Sequence, residues 1–262
     1  MRFKEVHPMR RWKYKLFLII FLSSFLFLGS MNRNADAASL FGKDKNPPRA
    51  IVVFVDMSGS TNKARRTVYR NAFDKIYQNL REGDRIVVGT ITSHSFIDFK
   101  PAVDAEIPKQ TIWDNRLQYE QKLAKTKKNV QQSVDRLLSR KKGTPYTEIL
   151  NSLNVVDTIF HKEKRQKILV ILSDMMQDSK QYKFERYKIT NKYIANVIQN
   201  QKKQNLIPNL SGVKVYAAGV SAPNSKKFRS IQKFWARYFT ESKADFSPHR
   251  YGHSLLEFEK ES

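Results

Sequence analysis

The sequence predicts an α/β domain, a doubly wound and mostly parallel sheet with one antiparallel edge strand and helices on both faces. Uninterrupted runs rich in Val, Ile and Leu, which are typical of strands buried on both faces, occur at Ile51–Val55, Arg85–Thr92, Lys167–Ser173 and Val213–Val220. The stretches between them carry apolar residues at helical spacing. Strands that alternate with helices in this way form a parallel sheet covered on both sides.

The first half of the domain begins with the strand that ends at Val55. An amphipathic helix is predicted over Lys63–Leu80, and the next strand, Arg85–Thr92, is expected to pair with a short antiparallel edge strand over Ser95–Lys100. The long lysine-rich segment Thr111–Lys142 has one apolar helical face and ends at a Gly-Thr-Pro break.

The second half repeats the alternation of helix and strand. Helices are predicted over Thr147–Phe160, Tyr182–Lys203 and Ser225–Phe239, and strands over Lys167–Ser173 and Val213–Val220. The last helix has an aromatic face at helical spacing, which indicates core packing.

The amino terminus has the pattern of an export signal. Six basic residues precede an apolar and small-residue run, Leu16–Gly29, and Ala35-Asp36-Ala37 resembles a cleavage site. The apolar run is shorter than the roughly 20 residues of a transmembrane helix. A cleaved signal peptide is therefore favoured over an uncleaved N-terminal anchor. Either one implies an exported protein, which would be secreted, periplasmic or associated with the cell envelope.

These patterns divide the chain into four parts. Residues 1–37 are the signal peptide or anchor, 38–48 a linker with two prolines, 49–245 the α/β domain and 246–262 a C-terminal tail.

Composition narrows the classes of function. The chain lacks cysteine, which excludes thiol catalysis and thiolate–zinc sites. Its net charge is +24, of which +19 lies beyond residue 37. Such an excess attracts anionic surfaces such as cell-envelope polymers or lipid headgroups.

The first strand leads into the loop Asp56-Met57-Ser58-Gly59-Ser60. Ligands of open α/β sheets bind beyond the carboxyl ends of the strands, where this loop would lie. Asp56, Ser58 and Ser60 offer only oxygen atoms, the ligands that Mg²⁺ prefers. The alternative is a turn that stops the strand and caps the next helix.

Two further polar positions combine with this loop. Thr147 precedes a predicted helix, and Asp174 follows the buried strand Lys167–Ser173. With Asp56-x-Ser58-x-Ser60, they make the sequence resemble the von Willebrand factor A domain family, whose metal-ion-dependent adhesion site has the pattern D-x-S-x-S, then Thr, then Asp. The resemblance covers roughly residues 49–220 and implies a Rossmann-like fold.

The resemblance also implies a role for each residue. Ser58 and Ser60 would bind the metal through their hydroxyls, Thr147 directly or through water, and Asp56 and Asp174 would hold metal-bound waters. The expected ion is Mg²⁺, with Mn²⁺ or Ca²⁺ as alternatives. An acidic side chain of a protein partner would complete its coordination.

The sequence does not decide which residues complete the site. Thr144 competes with Thr147, and Asp178 competes with Asp174. Many family members have Asp-Gly where this chain has Asp174-Met175. A glycine there eases tight backbone geometry, so Met175 bears on the shape of the loop.

We therefore expect a metal-dependent binding protein and not an enzyme. No Ser/His/Asp set has the spacing of a nucleophile elbow. The alternative is a basic surface protein that binds anionic polymer or nucleic acid electrostatically, with the metal loop vestigial. Between these partners, an envelope polymer or membrane surface is favoured over nucleic acid.

Overall fold

The computed structural model describes residues 47–59, 61–93, 99–140 and 143–259. Ser60, the predicted signal or anchor and most of the predicted linker lie outside the described residues.

Six strands form one sheet in the order β3-β2-β1-β4-β5-β6. All neighbouring strands are parallel except β2 and β3, which are antiparallel. The predicted fold class is thereby confirmed. The strands are β1 Arg49–Asp56, β2 Arg85–Ile91, β3 Val103–Glu106, β4 Gln166–Leu172, β5 Val213–Ala218 and β6 Asp245–Gly252.

Helices cover both faces of the sheet. Those of the described residues are α1 Lys63–Gln78, α2 Arg116–Leu138, α3 Ile149–Phe160, α4 Asn191–Lys203 and α5 Ser225–Glu241. The core on one face includes residues of α3, α4 and α5, and the core on the other includes residues of α1 and α2. None of these described helices is long and apolar enough to cross a membrane.

The alternating side chains of β1 explain its uninterrupted apolar run. Val52 and Phe54 pack into one core, while Val53 and Val55 pack into the other. All four are buried, because β1 lies between β2 and β4 in the middle of the sheet. A central strand with helices on both sides needs apolar residues at every position.

Two predicted elements need correction. The antiparallel edge strand is β3 and not Ser95–Lys100, of which positions 95–98 lie outside the described residues. The helix predicted from Tyr182 begins only at Asn191, where the Thr190 side chain accepts a hydrogen bond from the backbone N–H of Tyr193. The preceding segment is instead a loop that places Phe184 in the core.

The sheet continues past the predicted domain end at residue 245. Strand β6 begins there and pairs in parallel with β5. Beyond it, Leu255 and Phe258 are buried in the core on the α1 side.

A buried ion pair lies at the amino end of β1. The Arg49 and Asp84 side chains are 1% and 0% exposed, and Arg49 Nη2 lies 2.5 Å from Asp84 Oδ2. Asp84 also accepts hydrogen bonds from the backbone N–H groups of Arg49, at 2.7 Å, and Arg81, at 2.9 Å. The Phe258 ring covers the Arg49 guanidinium. This pair joins the start of β1 to the turn before β2.

Candidate metal site at the carboxyl edge of the sheet

The carboxyl ends of β1 and β4 bring two aspartates to one edge of the sheet. Val55 pairs with Leu172 in the parallel register, so Asp56, the last residue of β1, and Asp174, two residues past β4, lie at the ends of neighbouring strands. Beside them lies an open cavity of about 600 Å³, and Asp174 forms part of its wall.

Asp56 lies beneath this cavity and is fully buried. Its Oδ1 accepts a hydrogen bond from the Ser58 backbone N–H at 2.9 Å, and its Oδ2 accepts one from Ser173 Oγ at 2.9 Å. Burial raises the pKa of Asp56, although these hydrogen bonds act in the opposite direction. Ser173 Oγ also accepts a hydrogen bond from the Met175 N–H, at 3.0 Å, and so fixes both strand ends together. The sequence reasoning missed Ser173 because it counted this residue as the last of the predicted strand Lys167–Ser173, whereas β4 ends at Leu172.

Asp174 is largely buried at the cavity wall. Its Oδ1 accepts a hydrogen bond from the Met176 N–H at 2.9 Å, and its Oδ2 forms an ion pair with Arg65 Nη1 at 2.8 Å. Burial and the nearby Asp56 carboxylate raise the pKa of Asp174 to about 6, against the opposing effect of Arg65. The two carboxylates therefore repel each other across this edge.

Arg65 is a cation that the sequence reasoning did not single out. It lies in the first turn of α1, where its backbone N–H donates to the side chain of the N-cap residue Asn62. From there its guanidinium reaches Asp174 and also donates to Ser221 Oγ at 3.2 Å. The sequence signal was the helix N-cap, which places Arg65 one turn after the aspartate–serine loop.

The two threonines and Asp178 come together at the same cavity. The backbone of Thr144 pairs with the aspartate–serine loop, since Gly59 N–H donates to Thr144 O at 3.0 Å. The backbone of Thr147 pairs in both directions with Asp178, at 2.9 and 3.0 Å. The Thr144 hydroxyl donates to Tyr146 O, whereas among the described residues no such contact defines the direction of the Thr147 hydroxyl.

Gly143 lets these loops approach each other. A Cβ atom at this position would lie 2.6 Å from the backbone N of Gly59 and from the backbone C of Ser58. Such distances are prohibitive for a side chain, so only glycine fits against the aspartate–serine loop. The sequence identified Gly143 only as a helix breaker.

Met175 adopts the backbone conformation that glycine favours. Its φ is 65°, in the left-handed region, and its side chain is fully buried. The Met175 carbonyl accepts a hydrogen bond from Trp235 Nε1 at 2.9 Å. The tight geometry expected after Asp174 is therefore present, and a buried methionine occupies it.

The structure places the sequence-predicted residues as follows. Ser58, Thr147 and Asp174 line the cavity, Asp56 lies beneath it, and Ser60 is outside the described residues. Within the described ranges, no three His, Cys, Asp or Glu side chains gather in a metal-binding group. The donors here are instead the Asp56 and Asp174 carboxylates with neighbouring hydroxyls, and Asp178 and Glu185 also line the cavity. This oxygen-only set, with uncompensated negative charge, suits a hard divalent cation that keeps several waters.

No family model and no curated protein match the sequence. The chain is similar to solved structures that include manganese-loaded TRAP protein of Plasmodium vivax, with 16% identity over 71% of this chain and 63% of that one, at a TM-score of 0.43. The pilus adhesin SpaC of Lactobacillus rhamnosus GG, in an open conformation, shares 14% identity over 81% of this chain and 28% of its own, at a TM-score of 0.44. A von Willebrand factor type A structure from Catenulispora acidiphila shares 12% identity over 75% of this chain and 43% of its own, at a TM-score of 0.36.

This chain covers less than two thirds of each of those chains, and the likeness concerns the fold alone. The observations on this molecule are its strand order, its one antiparallel edge strand and the aspartate–serine loop that follows β1. Together they give the domain the Rossmann-like fold of a von Willebrand factor A domain.

Proposed function

We propose that this domain is a binding module that uses a divalent cation, Mg²⁺ in the first place, to hold an acidic side chain of a protein partner. The observation that carries the proposal is the pair of buried carboxylates, Asp56 and Asp174, beside an open cavity. Burial, together with repulsion from Asp56, raises the pKa of Asp174, and a cation at this edge would relieve both effects.

The residues around the cavity suit such an ion. The Ser58 and Ser60 hydroxyls would bind it, together with Thr147 or its neighbour Thr144, and the two aspartates would hold its waters. The bound ion would supply positive charge for an incoming carboxylate. Neutral hydroxyl ligands leave much of that charge available to the partner.

Arg65 is the counter-ion of Asp174 when no metal ion is bound. Its guanidinium already neutralises part of the charge of Asp174, so a metal ion and Arg65 compete for this carboxylate. Displaced from Asp174, the side chain stays anchored to α1 at the rim of the cavity and adds a second positive group for an acidic partner. The manganese-loaded structure of TRAP protein supports the binding of a divalent ion in this fold. The ion that this chain prefers is part of the proposal.

Thermal unfolding of the purified chain in EDTA, Mg²⁺, Mn²⁺ or Ca²⁺ tests the metal. Mg²⁺ at 100 times its Kd adds about 2.7 kcal/mol to the free energy of unfolding. We expect this gain for the wild type and none for Asp56→Asn. The matched control is Asp104→Asn, which removes an equal charge from the edge strand β3, where Asp104 pairs with Arg85. Equal unfolding temperatures with and without metal in the wild type would refute the metal site.

Capture of partners from the cell envelope tests the binding function. We expect proteins retained in Mg²⁺ to be released by EDTA, and retention to fail with Asp56→Asn. Thr144→Ala and Thr147→Ala, compared in the same assay, identify the threonine that contributes to the site. Partners that stay bound in EDTA but leave at high salt would favour the electrostatic alternative.

We also propose that the chain is exported through its N-terminal segment. Mass spectrometry of the mature N-terminus, after fractionation of cells into cytoplasm and envelope, distinguishes a cleaved signal from an anchor. Recovery of the uncleaved chain in the cytoplasm would refute export.

A further inference from the structure

The amino-terminal half of α2 has no buried residue. Its buried residues all lie toward its carboxyl end, from Val130 to Leu138, and no residue of the stretch 111–129 is buried. Packing of an apolar face supplies most of the stability of a protein helix. Residues 111–118 of this stretch are all exposed, so its amino-terminal part leaves a surface available for a partner.

Three large apolar side chains are exposed at the tip of this stretch. Ile112 is 91% exposed, Trp113 89% and Leu117 63%. Among the described residues only Tyr187 and Leu256 are further large hydrophobic side chains with comparable exposure. Single exposed apolar residues are normal, but three within six positions form a patch of the kind that marks an interaction site.

Basic residues are in excess along this stretch. Positions 109–128 carry six Lys or Arg and two Asp or Glu. Lys125 and Lys128 lie eight and eleven positions after Leu117, which places all three on the same side of the helix. The opposite side contacts the domain, where the Tyr119 hydroxyl donates to Glu82 and Leu123 packs against the core.

From this arrangement we propose that residues 111–128, which comprise the turn before α2 and the amino-terminal half of α2, dock on an anionic lipid membrane. Trp and Leu would enter the interface between headgroups and acyl chains, and the lysines would contact the anionic headgroups. The charge distinguishes this surface from a protein interface. The cores of protein interfaces are depleted in lysine, whereas lysines next to an apolar patch are attracted to anionic lipid.

Tryptophan fluorescence of the full chain tests the proposal directly. The sequence has three tryptophans, and Trp235 is fully buried. In a Trp12→Phe background, Trp113 is the tryptophan that responds to its surroundings at the surface. Vesicles of phosphatidylcholine alone are compared with vesicles of equal parts phosphatidylcholine and phosphatidylglycerol, all in EDTA so that no divalent ion bridges protein and lipid.

We expect the emission of Trp113 to shift to the blue, and its quenching by acrylamide to fall about twofold, on the phosphatidylglycerol vesicles only. Trp113→Phe removes the response and gives the background of Trp235. Lys125→Glu with Lys128→Glu should abolish the shift, while unchanged thermal unfolding shows that the variant is folded.

The N-terminal apolar run can attach the chain to either kind of vesicle. Vesicle binding alone therefore does not support the proposal, and the emission of Trp113 decides it. A chain that floats with phosphatidylglycerol vesicles while the Trp113 emission stays unchanged would overturn the proposal. An equal shift on phosphatidylcholine alone would overturn the role of the lysines. A shift that needs added envelope proteins, and not lipid, would assign the surface to a protein partner instead.

Discussion

Two arginine–aspartate pairs lie at opposite ends of β1, and they differ in how their carboxylates are satisfied. Asp84 accepts two backbone N–H groups as well as the Arg49 guanidinium, and neither side chain reaches solvent. Asp174 accepts one backbone N–H group and one contact from Arg65, whose side chain is 20% exposed beside an open cavity.

The difference separates a structural ion pair from an exchangeable one. At the amino end every partner of Asp84 belongs to the fold, so nothing else can replace Arg49. At the carboxyl end burial and a second carboxylate, Asp56, raise the pKa of Asp174, and one arginine does not balance both carboxylates. A domain can thus use the same chemistry to close one end of its central strand and to leave the other end ready for a ligand.

The largest expected effect is on the buried Arg49–Asp84 pair at the amino end of β1. Asp84→Asn leaves the buried Arg49 charge without a counter-charge, and we expect a loss of about 3–5 kcal/mol in the free energy of unfolding. Urea denaturation measures it. The control is Asp135→Asn, since Asp135 pairs with Arg70 at the surface and should cost less than about 1 kcal/mol. Equal losses in the two variants would show that the buried Arg49–Asp84 pair stabilises the fold no more than a surface ion pair does.

The next effect concerns the loop packing of the open end. Gly143→Ala forces a Cβ atom against the backbone of Ser58 and Gly59, and we expect a loss of about 1–3 kcal/mol with weaker Mg²⁺ binding. Gly59→Ala is the matched control, because its Cβ would meet only Thr144 O at 3.8 Å. Denaturation and isothermal titration with Mg²⁺ measure both effects. A Gly143→Ala variant that binds metal normally would contradict this role of the loop contact.

The substitution Arg65→Gln tests whether a metal ion competes with Arg65 for the Asp174 carboxylate. Without the competing guanidinium we expect Mg²⁺ to bind about tenfold more tightly, which is about 1.4 kcal/mol. In EDTA this variant should be less stable than the wild type, and saturating Mg²⁺ should close the gap. Arg70→Gln removes the same charge elsewhere on α1, where Arg70 pairs with Asp135. If it raises the affinity equally, general charge and not competition at Asp174 explains the change.

The smallest expected effect is on the hydrogen bond that orients Asp56. Ser173→Ala removes the 2.9 Å bond to Oδ2 and should cost about 1 kcal/mol of stability along with some Mg²⁺ affinity. Ser179→Ala is the control, because the Ser179 hydroxyl hydrogen-bonds to the backbone of Tyr182 in the adjacent loop and does not contact Asp56. A comparable loss of stability with unchanged Mg²⁺ affinity is expected there. Equal loss of affinity in both variants would make Ser173 a purely structural residue.

The sequence predicted the buried parallel strands well because a central strand needs an apolar residue at every position, as β1 has. It failed where tertiary packing overrides local pattern. Strand β3 has four residues and only one buried side chain, so it offers little periodic signal. Phe184 and Ile189 are apolar and suggested helix, yet they enter the core from a loop. Strand β6 contains Pro248 and many polar residues, which an edge position tolerates.

The site was predictable in part for a similar reason. Asp56 and Asp174 directly follow buried strands, so their shared edge follows from parallel pairing. Arg65 is one of several basic residues on α1, and only the folded chain shows that it reaches Asp174. Gly143 likewise looked like a helix breaker, and its contact with the aspartate–serine loop depends on two loops that meet only in space.

The hydrogen bond from Trp235 to the Met175 carbonyl has a kinetic consequence. Trp235 is buried on α5, so the loop that carries Asp174 is fastened to the last helix of the domain. Amide groups of solvent-facing loops ordinarily exchange with deuterium through small local openings. The Met175 amide should instead exchange on the slow timescale on which α5 separates from the sheet, although its neighbours Asp174 and Met176 line an open cavity.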